Sequence, residues 1–285
     1  MELNSIIFPA PPASYTIEEM GEELIWVPTL KGANSIPCLL LKSEEGSNKI
    51  MIFFHANAED LKLSYELIDL FRTVLHIHVI AMEYPGFGLY KSKPSAKSLL
   101  RDAESLYDFV NTTLHFTGKD IFVFGRSIGT GPATHLARYK KVGCLLLMSA
   151  YTSIKSVVRD IAKGLAFLVK DRFNNLENIK HVTCPTFIVH GRVDKFIKYQ
   201  HSQLLQESCG GPCSLYIPPE MDHDRFDYCD DLILPISAFL IQSRIRIVNG
   251  RGFNIEVPEE FKNPLPNQKL RTKGGGLFRL IRKFG

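Results

Sequence analysis

The chain lacks any long apolar run. Its longest, "LILPISAFLI" (232–241), is about half of what a helical membrane span needs, and Pro235 interrupts it. An export leader is not expected either, because "MELNSIIFPAPP" (1–12) has no basic start followed by an apolar block, and its three prolines break a helix. Glu2 excludes the N-myristoylation pattern, and the C-terminus carries no prenylation box. These absences predict a cytoplasmic, soluble chain.

Zinc spacing is missing as well. The six cysteines are Cys38, Cys144, Cys184, Cys209, Cys213 and Cys229. Cys209 and Cys213 flank "GGP", yet no second Cys or His pair accompanies them, so no metal is expected. Several cysteines sit in apolar strand-like runs, where a free thiol behaves as a small buried hydrophobe. Without an export signal they are expected to be reduced.

Acidic residues are absent from 261–285, which holds Lys262, Lys269, Arg271, Lys273, Arg279, Arg282 and Lys283. Removing those seven from the 34 basic residues leaves 27 against 30 acidic ones, a balance near −3 for the body. The overall +4 is thus a property of the end of the chain, which argues against a nucleic acid gripping the folded body.

What the chain does have is length and alternation. Its 285 residues, 45% of them hydrophobic, suffice for one large α/β domain or two small ones. Strand-like runs occur at "ELIWVP" (23–28), "IPCLLLK" (36–42), "KIMIFFHA" (49–56), "IHVIAMEY" (77–84), "DIFVFG" (120–125), "GCLLLMSA" (143–150), "PTFIVHG" (185–191) and "SLYIP" (214–218). The first two read as a hairpin. The middle ones are apolar on both faces, as central parallel strands covered by helices must be. Helical patterns fall between them at about 60–75, 95–113, 130–140, 198–207 and 230–243. Such alternation predicts a doubly wound sheet rather than separate domains. The connection 151–180 is longer than usual, and reads equally as a cap over a site or as a helix packed on the sheet.

"VFGRSIGTGPA" (123–133) places three glycines and a serine just after an apolar run. A phosphate-binding Walker loop would need Gly-Lys-Ser/Thr, and no lysine follows Gly129 or Gly131. A dinucleotide loop would need a glycine where Thr134 stands. The remaining reading is G-x-S-x-G, with Gly125 and Gly129 about Ser127 on a strained strand-to-helix turn. Side chains two before and two after the serine would collide there. The helix that follows aims free N–H groups, Ile128 N–H first, at developing negative charge.

This chemistry needs an acid and then a base later in the chain. "IVHGRVDKFI" supplies Asp194 just past one predicted strand, and "YIPPEMDHDRF" supplies His223 just past the next. Asp222 and Asp224 flank His223 too closely to orient its ring from behind. His190 reads as a satisfied core histidine, and His55, His76 and His78 precede the serine. Arg126 packs or pairs beneath the bend, with no chemical role assigned. The loop "FFHANAED" (53–60) offers the second oxyanion amide, with Asn57 preferred over its neighbours Ala56 and Ala58.

With these residues in place, the chain resembles the α/β-hydrolases, specifically the serine hydrolases that include the alpha/beta-hydrolase-domain-17 protein depalmitoylases. The resemblance covers roughly residues 8–242 and rests on "FFHANAEDL", "YPGFG" (84–88), "GRSIGTGPA", "DRFNNLENIK" (171–180), "HGRVD" and "MDH". It implies a mostly parallel central sheet with helices on both faces, and a catalytic triad of Ser127, Asp194 and His223. It further implies cleavage of an ester or thioester through an acyl-enzyme, with no cofactor and an acylated small molecule or acylated protein as partner. The chain departs from the family at Ala56, where glycine is usual, and at Asp222, also a usual glycine. No cysteine precedes Cys38, whereas these depalmitoylases carry an N-terminal cluster for lipid anchoring. A small-peptide serine peptidase and a non-catalytic hydrolase-fold binding module are the competing readings.

The expected organisation is an N-terminal extension (1–20), a hydrolase domain (21–245) and a basic tail (246–285). Within the tail, Leu277, Phe278, Leu280, Ile281 and Phe284 share one helical arc, and Arg279, Arg282 and Lys283 the other. The stretch 277–284 therefore reads either as a segment lying on an anionic membrane surface or as a solvated tail.

Overall fold

The computed structural model describes residues 8–30, 32, 34–161 and 170–274. A short capped helix α1 (Ile17–Met20) leads into strand β1 (Leu24–Pro28), which turns back as β2 (Ser35–Leu41). There follow β3 (Ile50–Phe54), α2 (Tyr65–Leu75), β4 (His78–Met82), α3 (Ala96–Thr112), β5 (Ile121–Arg126) and α4 (Thr130–Tyr139). The second half runs β6 (Cys144–Met148), α5 (Ile154–Ile161), α6 (Asn175–Ile179), β7 (Thr186–Val189), α7 (Gln200–Ser208), β8 (Cys213–Tyr216) and α8 (Leu234–Gln242). A π-helical turn, Tyr228–Ile233, winds directly into α8.

These eight strands form one sheet in the order β1-β2-β4-β3-β5-β6-β7-β8. The β1–β2 and β2–β4 pairs are antiparallel, and the remaining neighbours are parallel. Period-two alternation sorts the central strands into two cores. Ile52, Phe54 and Val123 face one side with Leu106 and Val110 of α3 and Leu136 of α4. Met51, Phe53, Phe122 and Phe124 face the other, beneath Ile68 and Phe71 of α2 and Phe239 of α8. There the Phe53 and Phe124 rings stack at 4.8 Å. Strands buried on both faces explain the unbroken apolar runs of the sequence. The edge strand β8 instead alternates half-buried and exposed residues.

Both ends of the described chain pack against this body. Tyr15, inside the expected extension, is fully buried. The segment expected as a tail from residue 246 lies, as far as 274, along the sheet. Asn249 bridges Ser47, the Gln268 side chain accepts from Ser35 N at 2.8 Å, and Lys273 bridges Ala13. Arg271 donates to the carbonyls of Gly86 and Pro11. The stretch 277–284 lies outside the described residues. Among the described residues no helix is long and apolar enough to cross a membrane.

Candidate active site

Strand β5 runs straight into the serine turn. Ser127 has φ +52°, a left-handed conformation that costs a non-glycine residue roughly 1–2 kcal/mol. Its surroundings hold it there. A Cβ on Gly125 would lie 2.3 Å from the Gly129 carbonyl oxygen and 2.8 Å from the Ala133 methyl, and one on Gly129 would lie 2.3 Å from the Phe54 oxygen. The two glycines therefore let the turn close on itself and against the end of β3. A single 3-10 turn (Ser127–Gly129) then opens α4.

Asp194 lies five residues beyond β7 and His223 seven beyond β8, both on loops at the carboxyl ends of the strands. The structure brings them to Ser127. The serine Oγ stands 3.1 Å from His223 Nε2, and His223 Nδ1 stands 2.8 Å from Asp194 Oδ2. The other carboxylate oxygen, Oδ1, accepts from the main-chain N–H groups of Phe196 (2.9 Å) and Ile197 (2.8 Å). With Oδ2 an acceptor, Nδ1 carries the ring proton, and Nε2 is left to accept from the serine hydroxyl. Burial pushes the Asp194 carboxyl up, but hydrogen bonds from His190, His223 and Ile197 N–H outweigh it and hold the group well below the usual carboxylate range. The Phe196 ring packs edge-on to the imidazole at 5.0 Å.

His190 is fully buried, with Nε2 donating to the Ile197 carbonyl (2.8 Å) and Nδ1 accepting from Ser202 Oγ (2.6 Å). It is a satisfied core residue that also stands behind the acid, 3.4 Å from Asp194 Oδ2. Asp222 Oδ1 accepts from Asp224 N and Arg225 N of its own turn.

Asn57 and Ile128 line one cavity with Ser127. The β3–α2 loop that carries Asn57 is tightly held. The His55 ring stacks on Tyr84 at 3.7 Å, Tyr84 Oη donates to the His55 carbonyl, and Leu61 N donates to the buried Glu83 carboxylate. Burial disfavours a charge on His55, but Glu83, 3.4 Å from its Nε2, lifts its pKa overall. The cavity, of about 170 Å³, is otherwise walled by Tyr151, Ile154, Val157, Val158, Ile161, Phe196 and Ile197. Ile154, Val157, Val158 and Ile161 follow the i, i+3, i+4, i+7 spacing of one helix face, a signal present in the sequence but not read from it. Helix α5 therefore walls the cavity, while α6 packs on α4. Residues 162–169 lie outside the described residues. Among the described residues, no three His, Cys, Asp or Glu side chains gather as a metal site.

No protein-family model matches the chain. It is 30% identical to alpha/beta hydrolase domain-containing protein 17C of Xenopus laevis over 173 residues, 60% of this chain and 55% of that protein. It is 28% identical to human alpha/beta hydrolase domain-containing protein 17B over 232 residues, 81% of this chain and 79% of that one. The matched part thus spans just over half the length of the first relative. Among solved structures, an esterase of Pyrococcus furiosus superposes with a TM-score of 0.67 at 17% identity, covering 83% of this chain and 97% of that one. Est1E from Butyrivibrio proteoclasticus superposes with 0.62 at 14% identity, covering 79% and 100%. Mouse alpha/beta hydrolase domain-containing protein 10 superposes with 0.59 at 15% identity, covering 78% and 99%. The chain is therefore an α/β-hydrolase in fold, and the sequences it resembles are those of the alpha/beta hydrolase domain-containing 17 proteins.

Proposed function

We propose that this chain is a serine hydrolase that cleaves an ester or thioester of an apolar acyl group. The observation that carries the reading is the hydrogen-bonded series Ser127–His223–Asp194 opening onto an apolar cavity. Ser127 Oγ attacks the acyl carbon while His223 Nε2 takes its proton. Asp194 fixes the ring tautomer and compensates the imidazolium. The N–H groups of Asn57 and Ile128 receive the oxyanion, the imidazolium protonates the leaving group, and water activated by the same histidine releases the acyl-enzyme.

The wall formed by α5 favours an acyl chain over a peptide. A cavity of about 170 Å³ is smaller than the roughly 300–1,000 Å³ that encloses a drug-sized ligand, so it takes a short acyl group whole or the carbonyl end of a long one. Palmitoyl thioesters on proteins, the substrates implied by the resemblance in the sequence, fall within the second case. The basic, apolar stretch 277–284 would serve such a substrate held at an anionic membrane. A non-catalytic module has no need of a strained serine bonded to a histidine whose tautomer is fixed.

The test is Ser127→Ala with p-nitrophenyl esters and a fluorophosphonate probe. Turnover and labelling are expected to vanish with the fold intact by circular dichroism. Undiminished turnover in that variant would reject the assignment.

A further inference from the structure

We infer that Arg126 is a positioning residue of this site, a clamp that locks the histidine loop to the loop bearing the second oxyanion donor. The inference rests on Ser127, His223 and Asp194 being the reacting groups. In the G-x-S-x-G pattern the residue before the serine is unconstrained by the turn itself, so its side chain is free to be used. Here its side chain is 8% exposed, and both terminal nitrogens are used on other segments.

Arg126 Nη1 donates to Glu59 Oε1 at 2.5 Å, on the β3–α2 loop two residues past Asn57. Its Nη2 donates at 3.1 Å to the main-chain carbonyl of His223, and lies 3.4 Å from Asp224 Oδ1. The Phe226 ring covers the guanidinium carbon at 5.1 Å. Glu59 passes the restraint on, because its Oε2 accepts from Ser64 Oγ at 2.9 Å and from Ala56 N at 3.4 Å. One planar fork therefore joins loops 67 and 97 residues away in the chain, the second by the peptide of the base itself.

Asp194 and Phe196 hold the ring, and Asp222 shapes the local turn. Arg126 sets where the ring stands relative to Asn57. A 1 Å misplacement of a reacting group costs on the order of 100-fold in rate, and the Ser127–His223 contact has that sensitivity. Lysine carries the charge but not the fork, so it can keep Glu59 or the His223 carbonyl, not both in the same geometry.

The experiment compares wild type, Arg126→Lys, Arg126→Met and Ser127→Ala by kcat and KM on p-nitrophenyl butyrate, fluorophosphonate labelling rate, thermal melting, and added guanidinium ion. We expect Arg126→Met to lose about 10- to 100-fold in kcat, with KM within about threefold and labelling slowed in parallel. Arg126→Lys should fall between, with a melting temperature near wild type. Millimolar guanidinium should restore part of kcat in Arg126→Met and none in Ser127→Ala. Wild-type kcat and labelling in both arginine variants overturns the inference. A kcat loss that guanidinium leaves unchanged and that tracks the melting temperature also overturns it. If Arg126→Met does not fold, Arg126→Lys decides alone, and undiminished kcat there refutes the clamp. An unlabelled wild-type Ser127 would instead refute the nucleophile, a separate result.

Discussion

Replacing Asp194 by asparagine asks whether the carboxylate fixes a tautomer or merely fills space. Asp194 Oδ1 accepts from two main-chain N–H groups, so the amide oxygen of asparagine must keep that place. The amide nitrogen then falls where Oδ2 was, 2.8 Å from His223 Nδ1 and 3.4 Å from His190 Nε2. Donor meets donor. The imidazole relieves the clash by moving its proton to Nε2, and a protonated Nε2 cannot take the serine proton. Loss of an ordinary hydrogen bond would cost about 1 kcal/mol, roughly fivefold in rate. The wrong tautomer costs on the order of 10⁴-fold, as the same change does in the chymotrypsin-type triad, or roughly 5.5 kcal/mol on the barrier. The two mechanisms are therefore separated by about a thousandfold. The assay is steady-state p-nitrophenyl ester hydrolysis on protein shown folded by thermal melting. Asp222→Asn and Asp224→Asn serve as neighbours that should stay within a few-fold of wild type. A folded Asp194→Asn enzyme within tenfold of wild type would refute the tautomer argument.

Gly129→Ala should destabilise by about 1–3 kcal/mol or more and cut kcat, because its methyl would lie 2.3 Å from the Phe54 oxygen and 2.8 Å from the His55 oxygen. Its φ of −62° suits alanine, so the cost is one of space, and Gly252→Ala, with nothing within 4 Å, is the control read by chemical denaturation. Burial lifts the Asp102 carboxyl from 3.8 to about 6, against the Tyr90 hydrogen bond, so the folded state holds that proton more tightly than the unfolded chain. Stability is then lost as pH rises from 3.8 through about 6. Asp102→Asn should gain about 1–3 kcal/mol above that window and nothing below it, measured as urea midpoints on either side; an equal gain on both sides would refute the reasoning.

The three residues proposed to react were legible in the sequence because each sits at a punctuation mark. Ser127 lies between Gly125 and Gly129, and Asp194 and His223 follow apolar runs that end abruptly. Central strands were legible for the same reason, being apolar on both faces. Strand order was not, since nothing in "IPCLLLK" says that β2 pairs antiparallel with β4 rather than beside β3. Arg126 was passed over because its partners, Glu59 and the His223 carbonyl, come from distant loops, and a main-chain acceptor has no sequence signature. His190 was assigned to the core by its strand position, which holds, while its approach to Asp194 depends on how the chain turns after β7. The segment after 246 read as a tail because its anchors are scattered: Asn249, Gln268 and Arg271 hold it by hydrogen bonds, and Ile255 and Phe261 pack on the core without helical or strand periodicity.

That last segment bears on how the protein can be cut for study. A fragment ending at α8 would keep all eight strands together with Ser127, Asp194 and His223. It would nevertheless strip Ser35 N of its acceptor and free the carbonyls of Pro11, Gly86 and Leu89, all now capped by Arg271. Gly86 and Leu89 lie on the crossover between β4 and α3, and Pro11 on the stretch that buries Tyr15 against Glu83. Trimming the C-terminal belt would thus slacken the buckle behind the loop that carries Asn57.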